Sequence, residues 1–186
     1  MRLMATIRAD LEAFAELKGM RIQSPLQLID VLAYPGVIAV IMFRCASFFH
    51  RRRLRPLSRI LYFLNIVLFG CEIMPGAVIG PGLTIPHPVG IGIGSESRLG
   101  RKVRIMGLVR IGGGASGDRS SDGMPTIGDE CWLLDGAKVF GPVTIGDRTV
   151  IGADTLVLSD LPGDVIAAGR PARVIRQRDA ASGNPA

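Results

Sequence analysis

From Ile73 onward the chain places an aliphatic residue at every sixth position: Ile73, Ile79, Ile85. An eight-residue step leads to Ile93, and the beat resumes at Leu99, Ile105 and Ile111. It breaks once, then continues through Ile127, Leu133, Val139, Ile145, Ile151 and Val157. Gly follows the aliphatic residue at Ile79, Ile93, Leu99, Ile111, Ile127, Ile145 and Ile151. Neither a 3.6-residue helical period nor a two-residue alternation produces this pattern. Short strands separated by sharp corners do, and such units stack into a solenoid in which each aliphatic residue is buried by the coils above and below. Three hexads per triangular turn give roughly four coils, spaced about 4.8 Å apart. The fold class expected is therefore mostly β, a parallel β-helix preceded by an α-helical region.

Residues 1–70 lack the beat and read as helical. Leu11, Phe14, Ala15 and Leu17 share one face of a first helix. Ser24-Pro25 starts a second, with Ser24 as N-cap. Tyr34-Pro35-Gly36 interrupts, Val37 to Phe49 forms a third, and Leu57 to Phe69 a fourth after Pro56. Residues 71–176 form the β-helix domain. Within it 113–125, rich in Gly, Ser and Asp, is an extruded loop of the kind that carries function. Residues 177–186 read as a flexible tail. The apolar run Ile60–Cys71 is about a dozen residues against the roughly 20 needed to cross a bilayer, so burial against other helices or a second subunit is expected. Peripheral membrane contact stays open.

Composition adds little to the fold and more to the setting. The formal charge is +6, with one cluster at Arg51, Arg52, Arg53 and Arg55 and another at Arg170, Arg173, Arg176 and Arg178. Such clusters read either as solvated surface or as attracting an anionic ligand or a membrane surface. No aromatic interleaving or nucleic-acid motif accompanies them, so nucleic acid is not an expected partner. Three isolated cysteines, Cys45, Cys71 and Cys131, suit a reducing cytoplasm, and the acidic residues Asp10 and Glu12 make the N-terminus a poor signal peptide. Cytoplasmic localisation is the expectation.

Candidate chemistry concentrates at the beat's irregularities. His87 lies in Ile85-Pro86-His87-Pro88-Val89-Gly90, inside the eight-residue step. Two extra residues re-aim a corner, and the inward positions are already taken by aliphatics, so the imidazole should face outward. Imidazole is the side chain best suited to exchanging protons near neutral pH. Glu72, just before Ile73, lies a little less than one coil earlier. It reads either as an exposed first-coil glutamate or as a carboxylate orienting the imidazole. The chain has no G-x-S-x-G, H-E-x-x-H or P-loop sequence, and no His/Cys/acid cluster, so no metal is expected.

These residues also carry a family likeness. The repeat resembles the hexapeptide acyltransferases, which are left-handed parallel β-helices acting as trimers, and within them serine acetyltransferase. YPGVIAVIMFR resembles that family's helical motif, and GCEIMPGAVIGPGLTIPHPVGIGIG its first coils. VRIGGGASGD resembles the turn opening its active-site loop, and DGAKVFGPVTIGDRTVIGADTLVLSDLPGDVIAAGRPARVI its C-terminal coils. The resemblance implies acetyl-CoA as co-substrate, no metal, a homotrimer with CoA in a groove between subunits, His87 as catalytic base and Glu72 as its partner. It places Gly113, Ala153 and Arg173 at CoA-contacting positions.

The departures are specific. Pro86 stands where that family has an acid before the histidine. Gly123-Met124 stands where it has an Arg-His pair, and Asp135 where it has an alanine against CoA. Arg119, in the same loop, is a candidate to replace the missing carboxylate clamp. The resemblance is nearer to the colanic-acid-type branch of polysaccharide biosynthesis. The expected function is therefore acetyl-CoA-dependent O-acetyltransferase, with a sugar or glycan precursor slightly favoured as the hydroxyl-bearing acceptor. Serine O-acetyltransferase is the alternative, and a non-catalytic β-helix scaffold the further one.

Overall fold

The computed structural model describes residues 3–113 and 123–178. The N-terminal region forms four helices, α1 (Leu3–Leu17), α2 (Pro25–Leu32), α3 (Pro35–Arg51) and α4 (Arg55–Phe69). Proline in the first turn starts the last three, because its missing N–H falls where a helix has no acceptor for one. For that reason α3 and α4 begin two residues earlier than the apolar pattern suggests. Ser24 caps α2 in a reciprocal box. Its Oγ accepts the Gln27 N–H (3.3 Å), and Gln27 Oε1 accepts the Ser24 N–H (3.1 Å).

Short strands follow in chain order: β1 (Glu72–Ile73), β2 (Val78–Ile79), β3 (Gly92–Ile93), β4 (Arg98–Leu99), β5 (Arg104–Ile105), β6 (Arg110–Gly112), β7 (Thr126–Ile127), β8 (Trp132–Leu133), β9 (Lys138–Phe140), β10 (Thr144–Ile145), β11 (Val150–Ile151), β12 (Leu156–Val157), β13 (Val165–Ala168) and β14 (Arg173–Gln177). They make three sheets, β1-β3-β6-β9-β12, β2-β4-β7-β10 and β5-β8-β11-β13-β14. All pairings are parallel except the last, where β14 folds back antiparallel on β13 and closes the solenoid. The aliphatic beat is the core: Ile73, Ile85, Ile93, Ile105, Leu133, Ile145 and Ile151 are fully buried.

The register locates both insertions. Gly92 pairs with Arg110, eighteen residues on, which is one regular coil. Glu72 pairs with Gly92, twenty residues on, so the first coil holds two extra residues. Arg110 pairs with Lys138, twenty-eight residues on, and the surplus there is the loop. Of that loop, Gly113 and 123–125 are described; 114–122, with Arg119, and 179–186 of the C-terminal tail lie outside the described residues.

The glycines after the aliphatic beat serve close approach between coils. A Cβ on Gly80 would meet the Gly100 carbonyl oxygen at 2.5 Å, and one on Gly146 the Gly163 nitrogen at 2.3 Å. The left-handed corners instead fall on other residues, among them Glu96, Lys102, Leu108, Glu130, Arg148 and Asp154.

Two of the contacts that fix the helical region to the first coil are made by α3. Arg44 and Asp10 form a buried ion pair (2.8 Å), their side chains 7% and 5% exposed. Arg44 also donates to the carbonyls of Ile79 (2.7 Å) and Gly80 (2.6 Å), while Asp10 Oδ1 accepts the N–H groups of Gly82 (2.8 Å) and Leu83 (2.9 Å). Burial pushes the Asp10 carboxyl up against the opposing pull of Arg44 and the two amides. The second contact is Gly36, whose α-carbon faces the Ile85 carbonyl so closely that a Cβ would lie 1.6 Å from its oxygen.

Candidate active site

The two extra residues of the first coil swell the corner 86–91, after the third sheet and before the first. His87 is on it, exposed, flanked by the half-buried Pro86 and the buried Pro88. The prolines restrict the backbone on both sides. This corner begins a column that runs up the solenoid. The Leu108 N–H donates to the Val89 carbonyl (2.9 Å), Gly136 to Gly107 (2.9 Å) and Asp154 to Asp135 (2.8 Å). His87, Gly107, Asp135 and Ala153 therefore occupy successive levels of one edge.

Gly107 keeps this edge shallow. A Cβ there would meet Asp135 Oδ1 at 3.2 Å and the His87 Cβ at 3.5 Å. Asp135 Oδ1 accepts the Gly107 N–H (3.1 Å), so its carboxylate is tied to the corner below. Ala153 is exposed one level higher. Arg173 opens β14 opposite Ala168, at the top of the same edge, where its Nη1 donates to the Ala172 carbonyl (2.9 Å). From His87 to Arg173 the edge climbs five levels, through those of β5, β8, β11, β13 and β14, about 24 Å at the ordinary strand spacing.

Glu72 lies on the adjoining face, in β1. Its Oε1 accepts the Tyr62 hydroxyl (2.9 Å), and its Oε2 receives Arg110 Nη1 (3.3 Å). Burial, and then the Glu72 carboxylate, push the Tyr62 phenol up to about 12, so it stays a donor. Gly92, between Glu72 and Arg110 in the sheet, makes the bridge possible: a Cβ there would lie 2.1 Å from Arg110 Nη1. Glu72, Met74, Gly92, Gly94, Arg110 and Phe140 line a groove of about 320 Å3. Among the described residues no hydrogen bond joins Glu72 to His87; within the protomer the carboxylate serves Tyr62 and Arg110.

Gly113 sits at the loop's base, where a Cβ would meet the Gly123 carbonyl oxygen and the Met124 side chain at 3.6 Å. The Met124 thioether also lies over Gly94, so the residue in place of the family's histidine covers one end of the groove with an apolar group. Cys71, beside Glu72, is fully buried, and burial pushes its thiol up to about 12. It is packing, not a thiolate nucleophile. A larger groove of about 610 Å3 runs between α1 and the third sheet, past Glu16, Arg104, Trp132 and Arg178, and is lined by neither His87 nor Glu72.

Tyr62 and Arg110 were not singled out from sequence. Arg110 had a legible signal: like Glu72 before Ile73, it stands directly before a beat residue, Ile111, and so shares the outward row of the same face. Tyr62 had none, because only the packing of α4 on β1 brings it there.

No family model matches the chain. It is 40% identical over 145 residues to the serine acetyltransferase of Helicobacter pylori (strain ATCC 700392 / 26695), covering 78% of this chain and 84% of the relative. A serine acetyltransferase solved in complex with CoA superposes with a TM-score of 0.81 at 26% identity, over 93% of this chain and 69% of that one. Soybean serine acetyltransferase complexed with serine gives 0.81 at 31% identity, over 93% and 69%. These relatives give the polysaccharide branch no support, and a non-catalytic scaffold is set aside with it. An outward histidine on a swollen corner, at the foot of a shallow edge, thus occurs in a chain that belongs to the serine acetyltransferase family and is an acyltransferase.

Proposed function

We propose that the protein is an acetyl-CoA-dependent serine O-acetyltransferase, a left-handed β-helix acting as a homotrimer. The observation that carries this reading is His87 at the foot of an edge of small and outward residues, beside a groove holding a guanidinium. It replaces the glycan acceptor favoured by the loop's departures, because the relatives are serine acetyltransferases and one is solved with serine.

The co-substrate fits the edge chemically. Gly107 and Ala153 leave room for a narrow chain to approach the backbone, and Arg173 at the far end offers a guanidinium for phosphate. Gly113 keeps the loop base open beside the groove. When bound, acetyl-CoA supplies an activated acyl group as a thioester.

In the reaction His87 takes the proton from the acceptor hydroxyl as the oxygen attacks the thioester carbonyl. The C–O bond forms, the C–S bond breaks, and the imidazolium returns its proton to the departing thiolate. No acyl-enzyme is required, in keeping with the buried, protonated Cys71. Arg110 binds the acceptor's carboxylate in place of the family's loop arginine, since a guanidinium has donors left after one bond to Glu72. Glu72 acts from the same face by fixing Arg110.

Release of CoA thiol, measured with L-serine against UDP-sugars and oligosaccharides, tests the acceptor. Turnover with L-serine supports the reading, and turnover with sugars alone overturns it.

A further inference from the structure

Helix α4 is inside-out. Its buried residues are the polar Ser58 and Asn65, while Leu57, Ile60, Phe63, Leu64, Val67 and Leu68 are exposed. Those six recur at steps of three and four, so they form one stripe, with Phe63 62% and Val67 61% exposed. On the other side α4 meets α3 through small residues and polar bonds. Ser58 Oγ donates to the Ala46 carbonyl (2.9 Å), and Asn65 Nδ2 donates to the Ala39 carbonyl (3.2 Å). Small and polar groups between two helices, with large apolar groups facing out, is the packing helices adopt where the surrounding solvent is hydrocarbon.

Charge identifies what covers the stripe. Arg51, Arg52, Arg53, Arg55 and Arg59 are all exposed around the α3–α4 junction, and no Asp or Glu occurs between Asp30 and Glu72. In a two-fold contact a second copy would bring the same arginines without acids to pair them, whereas an anionic headgroup layer complements them. The helix is too short to cross: fifteen residues span about 22 Å, against a hydrocarbon core of about 30 Å. Among the described residues no single helix is long and apolar enough to span a membrane.

We propose that the α3–α4 pair docks the protein peripherally on an anionic lipid surface, the apolar stripe at the acyl boundary and the arginines among the headgroups. This inference does not depend on the identity of the acceptor.

Flotation of the full chain with vesicles of phosphatidylglycerol and phosphatidylcholine in equal parts, and of phosphatidylcholine alone, tests it. The protein should float with the anionic vesicles and much less with the neutral ones. R51Q/R52Q/R53Q should weaken anionic binding about a hundredfold. F63E/V67E should abolish it while leaving thiol-release activity and the solution oligomer unchanged. Wild-type protein that stays soluble with anionic vesicles, or F63E/V67E that still floats, would overturn the proposal. So would F63E/V67E that splits a stable oligomer, because a second copy would then cover the stripe.

Discussion

Gly36 and Ile85 touch backbone to backbone: a Cβ on Gly36 would lie 1.6 Å from the Ile85 carbonyl oxygen. Helix α3 thereby sets the height of the segment that ends two residues before His87. G36A must push the two apart, an overpacking cost of about 1–3 kcal/mol. The expected result is a fall of several degrees in Tm and a drop in kcat of about tenfold or more, with KM for acetyl-CoA little changed. Wild-type kcat in G36A would show that this contact does not position the corner.

The Asp10–Arg44 pair is bound to four backbone groups as well as to itself. D10A should destabilise by about 3–5 kcal/mol, read from urea unfolding, since it leaves Arg44 buried and uncompensated. A buried pair standing alone is often replaceable by apolar residues. Here D10A/R44M should not recover stability, because the Ile79 and Gly80 carbonyls and the Gly82 and Leu83 amides lose their partners too. Recovery in the double variant would reduce the network to a simple pair.

Arg110 and Glu72 can be separated from His87 by which kinetic constant moves. R110Q should raise KM for L-serine by about 10–100-fold, the worth of a charged hydrogen bond, with R110K intermediate. E72Q should likewise act mainly on KM for L-serine, through a loosened Arg110. A fall in kcat at constant KM in E72Q would instead mean that Glu72 orients the imidazole.

The Tyr62 phenol titrates late. In a Y34F background, phenolate absorbance should appear at about pH 12. E72Q should lower that midpoint only in part, because burial is the larger cause and the carboxylate the smaller. The sign also bears on stability: a phenol raised in the folded state contributes fully below its unfolded value near 10, and that contribution is lost as pH rises through about 12. A midpoint near 10 in the parent would contradict the Tyr62–Glu72 bond.

Much of this molecule was readable from one period. The six-residue beat names the buried aliphatics, and its eight-residue step marks the corner of His87, because an extra residue in a solenoid has nowhere to go but outward. The glycines were legible as necessary but not as to purpose. Gly80 and Gly146 look like turn residues in sequence, whereas stacking at strand spacing forbids them a Cβ. The pairing of Glu72 with Tyr62 and Arg110 was hidden, since a carboxylate's partner depends on which side chain packs over it. The loop points towards a sugar acceptor because Gly123-Met124 lacks a clamp; the clamp proposed above, Arg110, stands two coils above Glu72 on the same outward row, in another part of the chain.

The most direct test is CoA thiol release with L-serine by wild-type protein and by H87N. Because His87 is exposed and no core residue, H87N should keep the wild-type melting curve. If the imidazole carries the proton, H87N should lose about two to four orders of magnitude in kcat. A folded H87N that turns over L-serine at the wild-type rate would contradict proton transfer at the swollen corner.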